Sequence, residues 1–368
     1  MSDQKHKIKR RKAIKTLSLG AFGLATSPQI MASCKPASDK KLGVALVGLG
    51  NYSNIMLGPA LRTTQNCRLS GLVTGTPAKA KKWSAAFDIP SQNIYNYDNF
   101  DEIANNPDID IVYVVLPNFM HAEYTIRALN AGKHVICEKP MAMDAAECRQ
   151  MIQASKENGK LLSVGYRLHY ELHHQRVIEL AAEKPFGHIN FVEAGLGYHM
   201  PDPTIWRLQK ELGGGGAIMD LGVYLIQGCL YATGEEPIAL SARGFVNDRS
   251  RFKDIYETMT WQFEFPSGTI SNCTTSYSSY VDRLHVSCYQ GWYGLKPSFN
   301  GRGTQGYYRN EPMGLEQVNQ QAAHMDDFAN SILQNEAPKV GGDLGLRDMI
   351  LVDAIKRSAD SGGKRIKL

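Results

Sequence analysis

The sequence predicts an α/β protein in two parts. A doubly wound parallel sheet is expected over residues 42–165, and an α+β part with an open, mostly antiparallel sheet over 166–368. Three observations predict this. Up to Tyr166, short apolar runs recur with helix-length spacers between them, the mark of parallel strands joined by crossover helices. A glycine turn, Gly48-Leu49-Gly50, closes the first run. Beyond Tyr166 strict alternation takes over. Met259, Trp261, Phe263 and Phe265 share one side of a strand while Thr258, Thr260, Gln262 and Glu264 share the other, as in a sheet with one covered face.

The elements follow in order. Lys41–Leu49 is a buried strand running into Gly48-Leu49-Gly50-Asn51-Tyr52-Ser53, a G-x-G-x-x-S form of the dinucleotide fingerprint. Gly48 permits the tight turn, Gly50 lets backbone approach a pyrophosphate, and Ser53 is small enough for close helix packing. The helix that follows draws phosphate to its free N–H groups, so Gly48, Gly50, Asn51 and Tyr52 are candidate cofactor contacts in a Rossmann domain. Further strands are expected at Arg68–Thr74, Ile94–Tyr97, Asp110–Pro117, His134–Glu138 and Leu161–Tyr166. After the second, Val73-Thr74-Gly75-Thr76-Pro77-Ala78-Lys79 lacks the acid that would bind the ribose 2′-hydroxyl of NAD. Thr74 and Lys79 suit a 2′-phosphate, so NADP is expected, with NAD the alternative; Lys79, Lys81 and Lys82 would equally form a solvated helix face. Glu138-Lys139-Pro140 ends the fifth strand, because proline has no N–H to donate to the ladder. Lys139 therefore stands at the carboxyl edge of the sheet, where ligands bind in open α/β folds.

Four glycines, Gly213 to Gly216, precede Ala217-Ile218-Met219-Asp220-Leu221-Gly222-Val223-Tyr224. A helix is expected to start just after them, with Asp220 and Tyr224 at i and i+4 on one face. Strand-like runs at Phe191–Gly197, Ile238–Phe245, Ile255–Phe265, Thr269–Thr275 and Leu284–Tyr289 supply the second sheet.

Together these motifs resemble the Gfo/Idh/MocA oxidoreductases. The resemblance is carried by Gly48-Leu49-Gly50, Leu116-Pro117-Asn118-x-x-His121-Ala122-Glu123, Ala131-Gly132-Lys133-His134-Val135 and Glu138-Lys139-Pro140-Met141-Ala142. Within the family the glucose–fructose oxidoreductase branch is the most similar, through Ile94-Tyr95-x-Tyr97-x-Asn99-Phe100-Asp101, Gly165-Tyr166-Arg167-x-His169-Tyr170 and Trp206-Arg207-Leu208. The resemblance implies Lys139, Asp220 and Tyr224 as the catalytic group, with Tyr224 where most of the family has histidine. It implies further cofactor contacts from Tyr97, Leu116, Pro117, Asn118, His121, Glu138, Lys139, Arg167, Trp206 and Arg207. Tyr166, His169 and Tyr170 join Lys139, Asp220 and Tyr224 as expected substrate contacts. His169 and His173, at i and i+4, lack a third ligand, and no metal is expected. A tyrosine with its reference pKa of ~10 is a poor base at neutral pH; a neighbouring ammonium stabilises the phenolate. The expected reaction is oxidation of a sugar or polyol CH–OH by hydride transfer to a tightly held NADP, in a ping-pong cycle between two sugars. Glycoside cleavage through transient oxidation and elimination is the runner-up, and a non-catalytic exported binding protein a third alternative.

Composition bounds partners and location. The chain has 41 Lys/Arg and 36 Asp/Glu, but residues 1–33 hold seven of those bases and one acid. The remaining 34 bases and 35 acids leave a net charge of −1, with no electrostatic footprint for nucleic acid. Lys9-Arg10-Arg11-Lys12-Ala13-Ile14-Lys15 resembles a twin-arginine export signal, and Met31-Ala32-Ser33-Cys34 a lipoprotein box with Cys34 acylated. Residues 1–33 are thus expected to be a signal peptide and 34–41 a short linker. The protein is expected in the periplasm or anchored to the membrane by lipid alone, and to form a homo-oligomer through its C-terminal sheet. The other six cysteines show no metal spacing and are expected as buried small hydrophobes.

Overall fold

The computed structural model describes residues 41–368; the expected export signal, Cys34 and the expected linker through Lys40 lie outside the described residues. The first sheet has six parallel strands: β1 (Leu42–Val47), β2 (Cys67–Val73), β3 (Ile94–Tyr95), β4 (Ile111–Val114), β5 (His134–Cys137) and β6 (Leu162–Val164). Their order is β3-β2-β1-β4-β5-β6, every pair parallel. The order reverses between β1 and β4. The loops leaving those two strands therefore splay apart and open a crevice at the carboxyl edge, flanked by Gly48–Gly50 and Leu116–Asn118.

Helices α1 (Gly58–Leu61), α2 (Pro77–Phe87), α3 (His121–Asn130) and α4 (Ala145–Glu157) fill the crossovers; α5 (Leu172–Glu183), α6 (Lys210–Gly213), α7 (Val223–Thr233), α8 (Gln320–Gln334) and α9 (Gly342–Asp360) follow. One face of the first sheet packs on α3 and α4, with Val112, Val114 and Val135 against Ala128, Leu129 and Met151. On the other face Leu46, Leu72, Tyr113 and Ile136 meet Trp83 of α2 and Met325 and Phe328 of α8. Both faces are dry, which is why these strands are apolar throughout rather than alternating. A helix from near the end of the chain thus completes the packing of the first sheet.

The second sheet has nine strands: β7 (Ile189–Gly197), β8 (Ala239–Phe245), β9 (Thr258–Glu264), β10 (Ile270–Ser276), β11 (Val281–Cys288), β12 (Gly291–Leu295), β13 (Gly306–Tyr308), β14 (Glu311–Pro312) and β15 (Ile366–Lys367). Their order is β14-β13-β12-β11-β7-β10-β9-β8-β15. All pairs are antiparallel except β7–β10, so the sheet is mostly antiparallel as expected. Met259, Trp261 and Phe263 of β9 are buried and Gln262 between them is exposed. Helix α7 lies on the covered face and is buried along nearly its whole length, because the sheet, α5 and α9 surround it. The six cysteines from Cys67 onward are all buried and unbridged.

Candidate active site

The glycine turn is built as the fingerprint requires. Gly48 has φ +93°, and a Cβ there would lie 2.4 Å from the Val115 carbonyl oxygen, so only glycine fits. Ser53, in the third glycine's place, donates its hydroxyl to the Gly48 carbonyl at 2.6 Å and ties the helix start to the turn. At Gly50 a Cβ would meet nothing within 4 Å. Open space in front of a helix start fits a dinucleotide pyrophosphate, with Asn51 and Tyr52 offering the first helical amides. At the end of β2, Thr74 is buried and its hydroxyl accepts from the Thr76 amide at 3.3 Å; Lys79 stands exposed in the first turn of α2. The Tyr97 ring covers Gly75, where a Cβ would come within 3.2 Å of it.

The loops after β4 and β5 are braced against each other. His121 is buried and links the Leu116 and Pro140 carbonyls, each 2.8 Å from a ring nitrogen. Both acceptors call for an N–H, yet burial, and then the Lys139 charge, pull this imidazole below its ordinary value. Asn118 donates to the Gly213 carbonyl at 2.9 Å, joining the loop to the glycine run. The Glu138 carboxylate lies against Gly165, too close for any side chain there, and accepts from the Tyr113 hydroxyl at 2.8 Å. Burial raises the pKa of Glu138 despite the opposing pull of Tyr113 and Lys139.

Lys139 is the centre of a charged cluster. Its Nζ donates to the Asp220 carbonyl at 2.6 Å and to Asp220 Oδ1 at 3.2 Å. Asp220 Oδ2 accepts from the hydroxyls of Tyr277 at 3.2 Å and Tyr198 at 3.4 Å, and pairs with Arg207 Nε at 3.3 Å. Asp220 sits in a π-turn, Ile218–Gly222, that leads into α7, an irregularity often found at functional sites. One turn on, the Tyr224 ring faces Lys139 Nζ at 4.5 Å from its centroid. Burial works against the Asp220 anion, but Lys139 and Arg207 hold its carboxyl well below the usual carboxylate range. Burial also works against the Lys139 cation, but Tyr224 and Asp220 raise its pKa above the usual lysine value. The cluster thus holds an ammonium and a carboxylate in fixed contact beside a tyrosine.

Two family models cover most of the described chain. Residues 42–166 match the oxidoreductase family with an NAD-binding Rossmann fold, and residues 174–309 match the Gfo/Idh/MocA C-terminal domain. The chain belongs to the Gfo/Idh/MocA oxidoreductase family. The crystal structure of an aldose–aldose oxidoreductase from Caulobacter crescentus, complexed with glycerol, superposes with a TM-score of 0.85 at 39% identity, spanning 89% of this chain and all of that one. The D-xylose 1-dehydrogenase [NADP(+)] of Haloarcula marismortui is 28% identical over 338 residues, 88% of this chain and 93% of its own. The dTDP-3,4-didehydro-2,6-dideoxy-alpha-D-glucose 3-reductase of Actinomadura kijaniata is 25% identical over 332 residues, 88% and 97% of the two chains. As a Gfo/Idh/MocA member, this protein is an NAD(P)-dependent oxidoreductase.

The family motif residues divide by where they point. Lys139, Asp220 and Tyr224 come together, with Arg167, Arg207 and Tyr52 around them. Two expected cofactor contacts also engage protein groups. Arg167 gives its donors to the Phe299 carbonyl, Gln320 Oε1 and the Asn300 carbonyl, and Arg207 pairs with Asp220 while its guanidinium covers the Trp206 ring at 4.4 Å. A buried guanidinium needs acceptors, and Arg167 finds them within the chain, whereas Arg207 is a third exposed and pairs through Nε alone. Tyr166, His169 and Tyr170, expected at the substrate, are not brought into the cluster. Residues 167–170 form a single 3-10 turn after β6, and of that run Arg167 faces Tyr224. Tyr166 turns toward Asp348 of α9. Tyr170 donates to Asp327 of α8 at 2.9 Å and stacks on His324, and His169 packs edge-on between Tyr170 and Tyr231. His173 does not pair with His169 either; its Nδ1 is bonded to Glu171 at 2.7 Å. Sequence reasoning missed Tyr113, Tyr198, Tyr277, Gln320 and Gln321. Tyr198 and Tyr277 directly follow paired strands, Gly197 lying opposite Ser276 in the parallel β7–β10 ladder. That pairing was the signal for them, and it is visible only once the sheet order is known.

Proposed function

We propose that the protein moves hydride at a CH–OH carbon of a sugar or sugar-like alcohol, with Tyr224 as the acid/base and Lys139 and Asp220 assisting. The observation that carries this is the bridge made by Lys139, from the Asp220 carboxylate to the Tyr224 ring, at the strand edge beside the open Gly50 turn. The names of two relatives, an aldose–aldose oxidoreductase and a D-xylose 1-dehydrogenase, support a sugar as the alcohol.

When bound, the nicotinamide cofactor takes up the hydride in oxidation and returns it in reduction. Gly48, Gly50, Asn51 and Tyr52 would hold its pyrophosphate, Leu116–Asn118 and Glu138 the neighbourhood of its ring, and Thr74 with Lys79 a 2′-phosphate; on those last two residues NADP is favoured over NAD. Asp220 accepts from Lys139, Tyr198 and Tyr277 and is paired with Arg207, so it stays ionised and anchors the lysine rather than carrying the proton. Of the three ammonium donors on Lys139, two are directed at Asp220; the third is available to a substrate oxygen. Tyr224 takes the proton of that hydroxyl in oxidation and gives it back to an aldehyde or ketone oxygen in reduction. One sugar would load the cofactor and a second unload it, in a ping-pong cycle without cofactor release.

Lys139→Met tests the core of the proposal. The variant should keep its fold and bound nicotinamide, read by circular dichroism and absorbance, and lose about 10²–10⁴ of its turnover. Near-normal turnover would reduce Glu138-Lys139-Pro140 to a strand-ending turn. Product analysis with a panel of aldoses should give sugar acid plus polyol; release of an aglycone from glycosides instead would replace the reading. The twin-arginine and Cys34 motifs support an exported, lipid-anchored mature protein, which fractionation of cells carrying Cys34→Ala would test: the variant should leave the membrane. Exposed Phe191 and Ile270, neighbours on the uncovered face of the second sheet, support that face as the contact between copies of this chain.

A further inference from the structure

Tyr224 meets a second cation besides Lys139. The Arg167 guanidinium carbon lies 4.8 Å from the Tyr224 ring centroid, within range of the ring's negative face. Arg167 is only 5% exposed, so its charge has lost nearly all its water. Its donors go to Gln320 Oε1 at 2.7 Å, the Phe299 carbonyl at 2.5 Å and the Asn300 carbonyl at 3.3 Å. All three acceptors are neutral. Arg207 offers the contrast, because its charge is met by Asp220. A desolvated charge held by neutral dipoles is costly, and it gains most from any negative charge that appears beside it.

We propose that Arg167 is a positioning residue for proton transfer: it fixes the ring of Tyr224 and presents a permanent positive charge to it when the phenol gives up its proton. This rests on Tyr224 being the acid/base. The groups around the ring are the Lys139 ammonium, the Arg167 guanidinium and the Tyr52 phenol, with the Asp220 and Glu138 carboxylates behind them. Asp220 is matched to Lys139 and Arg207, and Glu138 to the Tyr113 hydroxyl. Arg167 is the cation in this set without a carboxylate of its own. Gln321 extends the arrangement, donating to the Tyr52 hydroxyl at 3.3 Å one residue along from the Gln320 that holds Arg167.

The test uses the holoenzyme, with single-turnover reduction of the bound cofactor by an aldose followed across pH 5–10. Bound nicotinamide, by absorbance, and melting temperature are read on every variant. Tyr224→Phe should abolish the limb that rises with pH; a retained limb means that Tyr224 is not the acid/base, whatever Arg167 does. With that limb assigned, Arg167→Met should move it to higher pH by about one to three units while bound cofactor remains. Arg167→Lys, keeping a charge without the forked anchor, should move it less. A slower reaction with an unmoved limb would make Arg167 merely structural and overturn the proposal. Loss of bound cofactor with an unmoved limb would make it a cofactor ligand and overturn it equally. If Arg167→Met fails to fold, Gln320→Leu removes the one side-chain anchor, and an unmoved limb in that variant overturns the proposal.

Discussion

The two sheets solve opposite problems. The parallel sheet is dry on both faces, and its chemistry lies where its strands stop, at Gly48 after β1, Leu116–Asn118 beyond β4 and Lys139 after β5. The larger sheet is dry on one face, and it serves the site from strand ends as well, through Tyr198 and Tyr277, while its other face keeps Phe191, Phe245 and Ile270 in water. In the first sheet the backbone itself shapes the site, so a single methyl group matters. In the second, side chains on alternating positions divide the work, and one set can change without the other.

The largest effect expected from that difference is at Gly48. Gly48→Ala sets a Cβ 2.4 Å from a backbone oxygen at φ +93°, a contact that only a backbone shift relieves. It should cost more than about 3 kcal/mol in urea unfolding and empty the protein of nicotinamide, since strain at a special backbone position is one of the few routes to so large a loss. A variant of normal stability that still holds cofactor would break the claim that backbone governs the first sheet's site.

A smaller effect sharpens how the first sheet is latched to α8. His324 is buried, with Nε2 2.9 Å from Ser163 Oγ on β6 and its ring stacked on Tyr170. Burial lowers its pKa to about 4. The folded value lies below the ordinary one, so the unfolded chain takes up the proton first. Stability present above about pH 6.5 is therefore lost as pH falls toward 4, by on the order of 2–3 kcal/mol. His324→Asn, which does not titrate, should flatten the drop in urea midpoint between pH 7 and pH 4; an unchanged drop would assign the acid sensitivity elsewhere.

The smallest folding effect is expected on the outer face of the second sheet. Phe191→Asp should alter monomer stability by no more than about 0.5 kcal/mol, as surface changes do, yet dissociate the proposed homo-oligomer in sedimentation velocity. Lost stability with intact assembly would mean that this face supports the fold rather than a partner.

Much of this architecture was legible in the residues. The apolar run before Gly48, the proline after Lys139 and the alternation through Met259, Trp261 and Phe263 each express a local rule, and the strands fall within a few residues of where those rules place them. The short strands β12 to β15 escaped, because pairs such as Glu311-Pro312 and Ile366-Lys367 carry no period and are strands only by virtue of a neighbour. At the site, Lys139, Asp220 and Tyr224 were legible through their motifs. The surroundings of Tyr166 and Arg167 were not. Whether a side chain in a one-turn 3-10 segment faces the crevice or the interior depends on α8 and α9, some 150 to 180 residues away in the chain.

Those long separations have a consequence for the order of events during synthesis. The glycine turn, Lys139, Asp220 and Tyr224 have all left the ribosome well before Phe299, Asn300, Gln320 and Gln321 are made, at a rate of about 5–20 residues per second. In that interval the nascent chain holds Lys139, Arg207, Asp220 and Tyr224 but none of the acceptors that fix Arg167, nor the partner of Tyr52. The first sheet likewise waits for α8 to cover Leu46 and Tyr113. Closure of the first sheet and of the surroundings of Arg167 therefore waits on residues 299–328, far along the chain from the strands they complete.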